Sequence, residues 1–128
     1  MSAPLAPELP PLVRTLFTHL DHAGVLGGPG LVVSGEAGSV AQGVQVRFYW
    51  QVQGQRITAA SYQAYGCPYS LAACEWIARE LPGRDRQEPW PGEPHAWAKA
   101  LQTPPERLGR LLVVEDALRA TRAAWPGA

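Results

Sequence analysis

Between Val44 and Gln53 apolar and polar positions alternate without a break. Val44, Val46, Phe48, Trp50 and Val52 share one parity, and Gln45, Arg47, Tyr49, Gln51 and Gln53 the other. A period of two sends successive side chains to opposite faces, so the pattern predicts a strand with one buried and one wet face. Gln53-Gly54 makes a turn, and Arg56 to Tyr65 returns as the partner strand, with Ile57, Thr58, Tyr62 and Tyr65 as β-formers. Its alternation is less regular, which points to a bulge or a more buried strand. Upstream, Leu31-Val32-Val33 lies between glycines in Gly28 to Ser39 and reads as a short strand followed by a loop. Together these segments predict a meander of about three antiparallel strands.

On either side of the meander the period becomes helical. Leu12, Val13, Leu16, Phe17 and Leu20 form one stripe, which Gly24 and Gly27-Gly28 stop. Leu71, Cys74, Ile77 or Ala78, and Leu81 form a second, which Pro82-Gly83 ends. Residues 82–94 are dense in proline and charge and read as a connecting loop. A short helix over His95 to Leu101 follows, and Pro104-Pro105 opens the last, with Leu108, Leu111, Val114, Leu118 and Trp125 on its buried side. Helix, sheet, helices is the order of an α+β domain: a small three-stranded antiparallel sheet with helices packed on one face.

The strand-to-helix corner is the most informative stretch. Tyr65-Gly66 ends a strand, Cys67 stands at the corner and Pro68 opens a helix. Gly66 tolerates the backbone angles of a sharp corner, and Pro68 suits the first helical position, where a missing N–H costs nothing. Cys67 therefore falls at a helix N-terminus, where unpaired N–H groups and the positive end of the dipole favour a thiolate. Cys74 reads as a small apolar residue on the inner stripe. On one helix, a rise of roughly 1.5 Å per residue sets the two cysteines about 10 Å apart, beyond disulfide reach.

Composition narrows the function classes. The chain has 128 residues, enough for one domain with one core, and residues 1–11, with four prolines, read as a loose arm. Eleven basic residues balance eleven acidic ones, and the cations are scattered, so neither a nucleic-acid nor a membrane partner is expected. No apolar run is long enough to span a membrane, and MSAPLAPELPP lacks the pattern of a signal peptide, so a cytoplasmic location is expected. The glycines of 28–39 lack both the GxGxxG order and a P-loop lysine, which excludes a phosphate loop. The chain contains no Asn, and His19, His22 and His95 carry no hydrolase signature, so a cysteine hydrolase is set aside and no enzymatic activity is expected. His19 and His22 flank Asp21 on what reads as a solvated polar face, and no CxxC or HxxxH offers a closed zinc site.

The segment RITAASYQAYGCPYSLAAC resembles the strand, Tyr-Gly-Cys corner and helix start of the IscU type of iron–sulfur cluster scaffold, equivalent to the N-terminal domain of NifU. TPPERLGRLLVVEDALRA is similar to that family's double proline, His-Cys pair and Glu-Asp-Ala helix, with Pro104-Pro105 on the prolines and Glu115-Asp116-Ala117 on the last motif. The resemblance runs over about residues 28–125. It implies cluster assembly as the field of work, with three cysteines and nearby Asp and His residues gathered at one end to receive sulfur and iron. Cys67 matches the middle cysteine. The first falls in Ser39 to Gly43, which holds no Cys or Asp, and the His-Cys pair falls on Gly109-Arg110.

An iron–sulfur cluster normally takes four protein ligands, and one domain with this sequence offers a single one. The resemblance thus implies that Cys67 is sulfur acceptor, cluster ligand and metal ligand at once, with a cluster held transiently or not at all and zinc as the alternative metal. A cysteine desulfurase is the implied partner, with a chaperone or a recipient apoprotein as further ones. Arg110, at the position of the family cysteine, is expected to stabilise the Cys67 thiolate by its charge. Two other readings stand beside this one: a SufE-like sulfur acceptor, and a non-catalytic module that only docks to a partner. Glu115 and Asp116 read otherwise as ordinary solvated helix residues.

Overall fold

The computed structural model describes residues 9–127, so most of the expected arm lies outside the described residues. Pro11 is already helical and Leu9 packs against the core, so any arm ends before residue 9. The elements follow as α1 (Pro11–Thr18), β1 (Leu31–Ser39), β2 (Val44–Gln53), β3 (Arg56–Tyr65), α2 (Pro68–Glu80), α3 (Pro94–Leu101) and α4 (Leu108–Ala123). Short 3-10 turns, Val40–Gln42 and Pro105–Arg107, precede β2 and α4.

The sheet is an antiparallel meander in the order β1-β2-β3. On β2 the alternation is realised in full: Val44, Val46, Phe48, Trp50 and Val52 are buried beneath the helices. Burying side chains of this kind stabilises the fold by about 1.5–3 kcal/mol each. The irregular pattern of β3 has the expected cause. Gln51 pairs with Ala59 and Val52 with Ile57, so Thr58 is an extra residue, and the bulge brings Ile57 onto the same face as Ala60 and Tyr62. The other face carries polar ladders. Arg47 binds Ser34 Oγ at 3.1 Å and the Glu36 carboxylate, and Tyr49 OH donates to Gln63 Oε1 at 2.6 Å.

Two elements depart from the sequence expectation. β1 runs to Ser39 instead of ending after Val33, because Gly35 lets α4 lie directly on it; a Cβ there would stand 2.2 Å from the Thr121 nitrogen. α1 stops at Thr18, ahead of the glycines, where the Thr18 hydroxyl turns back to the Arg14 and Thr15 carbonyls. The chain beyond it leaves the helical stripe and runs beside β3. His22 O accepts from Tyr62 N at 3.2 Å, and Gly24 N donates to Tyr62 O at 2.7 Å.

α2 and α4 cover the inner face of the sheet, α1 packs on α2, and α3 on α4. The proline-rich loop after α2 is held by an aromatic cluster. Trp50 meets Trp125 edge-on at 6.1 Å between centroids and Trp90 at 6.5 Å, which fastens the loop and the end of α4 to the centre of β2.

Candidate functional site

β3 delivers Cys67 to one end of the domain, where it is the N-cap of α2, with φ −85° and ψ 168°, and Pro68 opens the helix. The cysteine is partly exposed. Ser70, fully buried, donates its hydroxyl to the Cys67 carbonyl at 2.8 Å and lies 3.7 Å from Cys67 Sγ. Burial opposes ionisation of the thiol. The N–H and hydroxyl of Ser70, the N–H of Tyr69 and the charge of Arg107 together outweigh it, and the thiol is held below its ordinary range. The sequence expectation of an activated sulfur at a helix tip therefore has a physical basis here.

The reason for Gly66 is different from the one expected. Its φ is not positive; the glycine instead leaves room for the Ser70 hydroxyl, since a Cβ there would stand 2.3 Å from Ser70 Oγ. The role expected of Arg110 is also corrected. Its guanidinium donates to the Gly43 carbonyl at 2.7 Å, and the cation that acts on the thiol is Arg107, one turn earlier. The contact is informative in itself. Residues 39–43 and 109–110, where the resemblance looks for its other cysteines, lie against each other, joined by an arginine and a carbonyl. Val44, which opens β2 directly after that connection, reaches within 3.5 Å of where a Gly66 Cβ would lie, so the three segments meet at one end of the domain.

The remaining ligand-type residues are placed elsewhere. Cys74 is fully buried, and desolvation, then the charge of Glu75, pushes its thiol up, in keeping with a packing role. His19 is exposed and held by Thr18 and the Thr15 carbonyl, His95 is exposed on α3, and Glu115 pairs with Arg119 at 3.4 Å. Among the described residues no three His, Cys, Asp or Glu side chains come together to hold a metal ion.

A polar cluster that the sequence reading missed lies behind the site. Glu75, fully buried on α2, accepts from Arg79 Nε at 2.8 Å, from the His22 N–H at 3.0 Å and from Tyr62 OH at 2.9 Å, and its Oε2 lies 2.7 Å from His22 Nδ1. A carboxylate only accepts, so Nδ1 carries the proton. His22, its own side chain still partly exposed, is thus tied to a buried carboxylate instead of standing free on the solvated face expected for it. The available signal was the Glu75–Arg79 spacing of i and i+4, which a helix brings together.

Residues 11–127 match the model of the NifU-like N terminal domain. A stretch of 64 residues is 45% identical to the bifunctional protein NifU/MnmA of Rubrobacter xylanophilus; the match takes in 49% of this chain and only 13% of that relative's length. The fold is similar to that of a protein from Fervidobacterium islandicum described as a scaffold for iron–sulfur cluster assembly in the SUF system, with a TM-score of 0.69 at 14% identity over 88% of this chain and 95% of the other. It is also similar to the N-terminal part of a nitrogen-fixing NifU-like protein from Brucella abortus, with a TM-score of 0.64 at 17% identity over 91% and 95%. With the family model matched over nearly the whole described chain, this protein belongs to the NifU-like N-terminal domain family.

Proposed function

We propose that the protein works in iron–sulfur cluster assembly as a sulfur acceptor and relay, using Cys67 alone. The observation that carries this reading is a partly exposed cysteine at a helix tip, its thiol held below the ordinary range, with no set of three metal-ligating side chains among the described residues. Sulfur exchange needs only thiolate character and access. The Cys67 thiolate attacks the outer sulfur of a donor persulfide, R–S–SH. The donor S–S bond breaks, a new S–S bond forms on Cys67, and the donor leaves as R–S⁻ while the outer sulfur keeps its proton. The Cys67 sulfur is oxidised to the persulfide level as the donor's inner sulfur is reduced to a thiolate, so no outside oxidant is needed. The donor in this reading is a cysteine desulfurase, and the sulfur passes on to a recipient apoprotein or scaffold. The protein is a carrier and not an enzyme, and the iron–sulfur cluster is the product of its pathway, not its resident cofactor. A free thiolate of this kind requires a reducing compartment, which supports a cytoplasmic location. No helix among the described residues is long and apolar enough to cross a membrane.

A second reading, a docking module without sulfur chemistry, draws on the exposed Tyr65 and Val40 beside the corner and the β1–β2 connection. One experiment separates them. The protein is incubated with a cysteine desulfurase and cysteine and weighed intact, as wild type, Cys67→Ser and Cys74→Ser. A sulfur adduct in wild type and Cys74→Ser, absent from Cys67→Ser, is expected; no adduct in any variant leaves only docking.

A further inference from the structure

The corner holds a polar group that the exchange chemistry does not itself use. Ser70 is fully buried, one turn into α2, and its hydroxyl has one proton and two acceptors before it: the Cys67 carbonyl at 2.8 Å and Cys67 Sγ at 3.7 Å. The room for that hydroxyl comes from Gly66. A methyl at Gly66 would lie 2.3 Å from Ser70 Oγ, while its next neighbours, Ser70 Cβ at 3.4 Å and Val44 Cγ2 at 3.5 Å, are ordinary contacts. So the glycine before the cysteine and the serine after it form one unit: a notch, and a hydroxyl seated in it.

We propose that Ser70 is the positioning residue of the Cys67 site, its hydroxyl held in the Gly66 notch so that it fixes the cysteine at the helix cap and donates to the sulfur once this is ionised. With the sulfur neutral, the carbonyl is the better acceptor and the short bond to it pins the corner. On ionisation the thiolate becomes the stronger acceptor, and rotation about the Cβ–Oγ bond turns the proton toward it. The same rotation is open to a thiolate regenerated after its sulfur has been passed on. This assignment rests on the reading of Cys67 as the reacting thiol.

The test is the rate of Cys67 alkylation by iodoacetamide against pH, with the adduct located by peptide mass, for wild type, Ser70→Ala, Gly66→Ala and the double variant. Thermal melts confirm that each is folded. Ser70→Ala is expected to move the profile up by about one pH unit and to slow alkylation near neutral pH by roughly tenfold. Gly66→Ala keeps the hydroxyl but expels it from the notch, so it shifts the profile the same way. In the Ser70→Ala background the added methyl fits, and the double variant matches Ser70→Ala alone. A wild-type profile in Ser70→Ala, or two full shifts that add in the double variant, overturns the proposal. Should Gly66→Ala fail to fold, the Ser70→Ala profile decides the matter. A shifted profile combined with no sulfur adduct from the desulfurase would sink the relay and leave the positioning role intact.

Discussion

Two cysteines seven positions apart meet opposite fates, and the difference is one of surroundings. Cys67 is partly exposed at the cap and acidified by donors; Cys74 is sealed in the core and its thiol is pushed up by burial. One thiol of the native protein should therefore react promptly with a disulfide reagent, and the second only after unfolding in denaturant. Two fast thiols in the native state would contradict the burial of Cys74. Cys74→Ser buries a hydroxyl in an apolar site and should cost about 1–3 kcal/mol, seen as a lower melting temperature, while Cys67 keeps its alkylation rate. At this scale the sequence was readable for residue types and less so for reasons. The corner cysteine and its proline are what their neighbours predict, but Gly66 is there for the Ser70 hydroxyl, and that contact spans four residues whose side chains meet only once the helix has formed.

Between elements, close approach replaces periodicity as the controlling fact. β1 was legible only to Val33 because Ser34 to Ser39 carries the glycines and polar residues of a loop. Gly35 is instead the point where the backbone of α4 crosses the strand. A Gly35→Ala change places a methyl 2.2 Å from the Thr121 nitrogen, against backbone that cannot step aside, so it should destabilise by about 1–3 kcal/mol or more in a denaturant titration. A similar change at Gly109, where a methyl meets nothing within 4 Å, serves as the control.

The Glu75 network joins α2, β3 and the segment after α1 through a single carboxylate, and it carries a pH signature. Burial works against the charge. Arg79, the His22 N–H, the His22 ring and Tyr62 outweigh it, and the carboxyl is held below its usual value. A carboxylate whose folded pKa is depressed contributes its full stability above the unfolded value, about 4.3, and loses it as pH falls through the folded value. Glu75→Gln should lower stability at neutral pH by about 1.5–3 kcal/mol, and the gap from wild type should shrink as the solution is acidified below about pH 4. An unchanging gap between pH 7 and pH 3 would show that the charge is not what joins these elements. In the linear pattern only the Glu75–Arg79 spacing marks this network, because the glutamate acquires its other partners from β3 and from the chain before β1.

For the molecule as a whole, the order of elements and the side of the sheet that the helices cover follow from period alone, and the position of the site follows from topology. The end of β1, the start of β2, the end of β3 and the start of α4 all converge on one tip, so the segments on which the resemblance places its cysteines come together even though Cys67 is the one that is present. Arg110 fills the gap with a bond to the Gly43 carbonyl, placing a cation where a cluster would need thiolates. A [2Fe–2S] cluster needs about four ligands, and the described part of one chain brings together no set of three. Anaerobic addition of iron and sulfide should accordingly give no lasting visible absorbance at one cluster per chain. In the proposed relay Cys67 would still accept sulfur from a persulfide donor, because exchange requires one thiolate and a cluster several ligands. A stable chromophore at one per chain would mean that other side chains move to the tip, and the monomeric relay would then give way to a scaffold. A chromophore at one per two chains that disappears in Cys67→Ser would point to a cluster bridged between copies, and a gel-filtration shift on loading would accompany it.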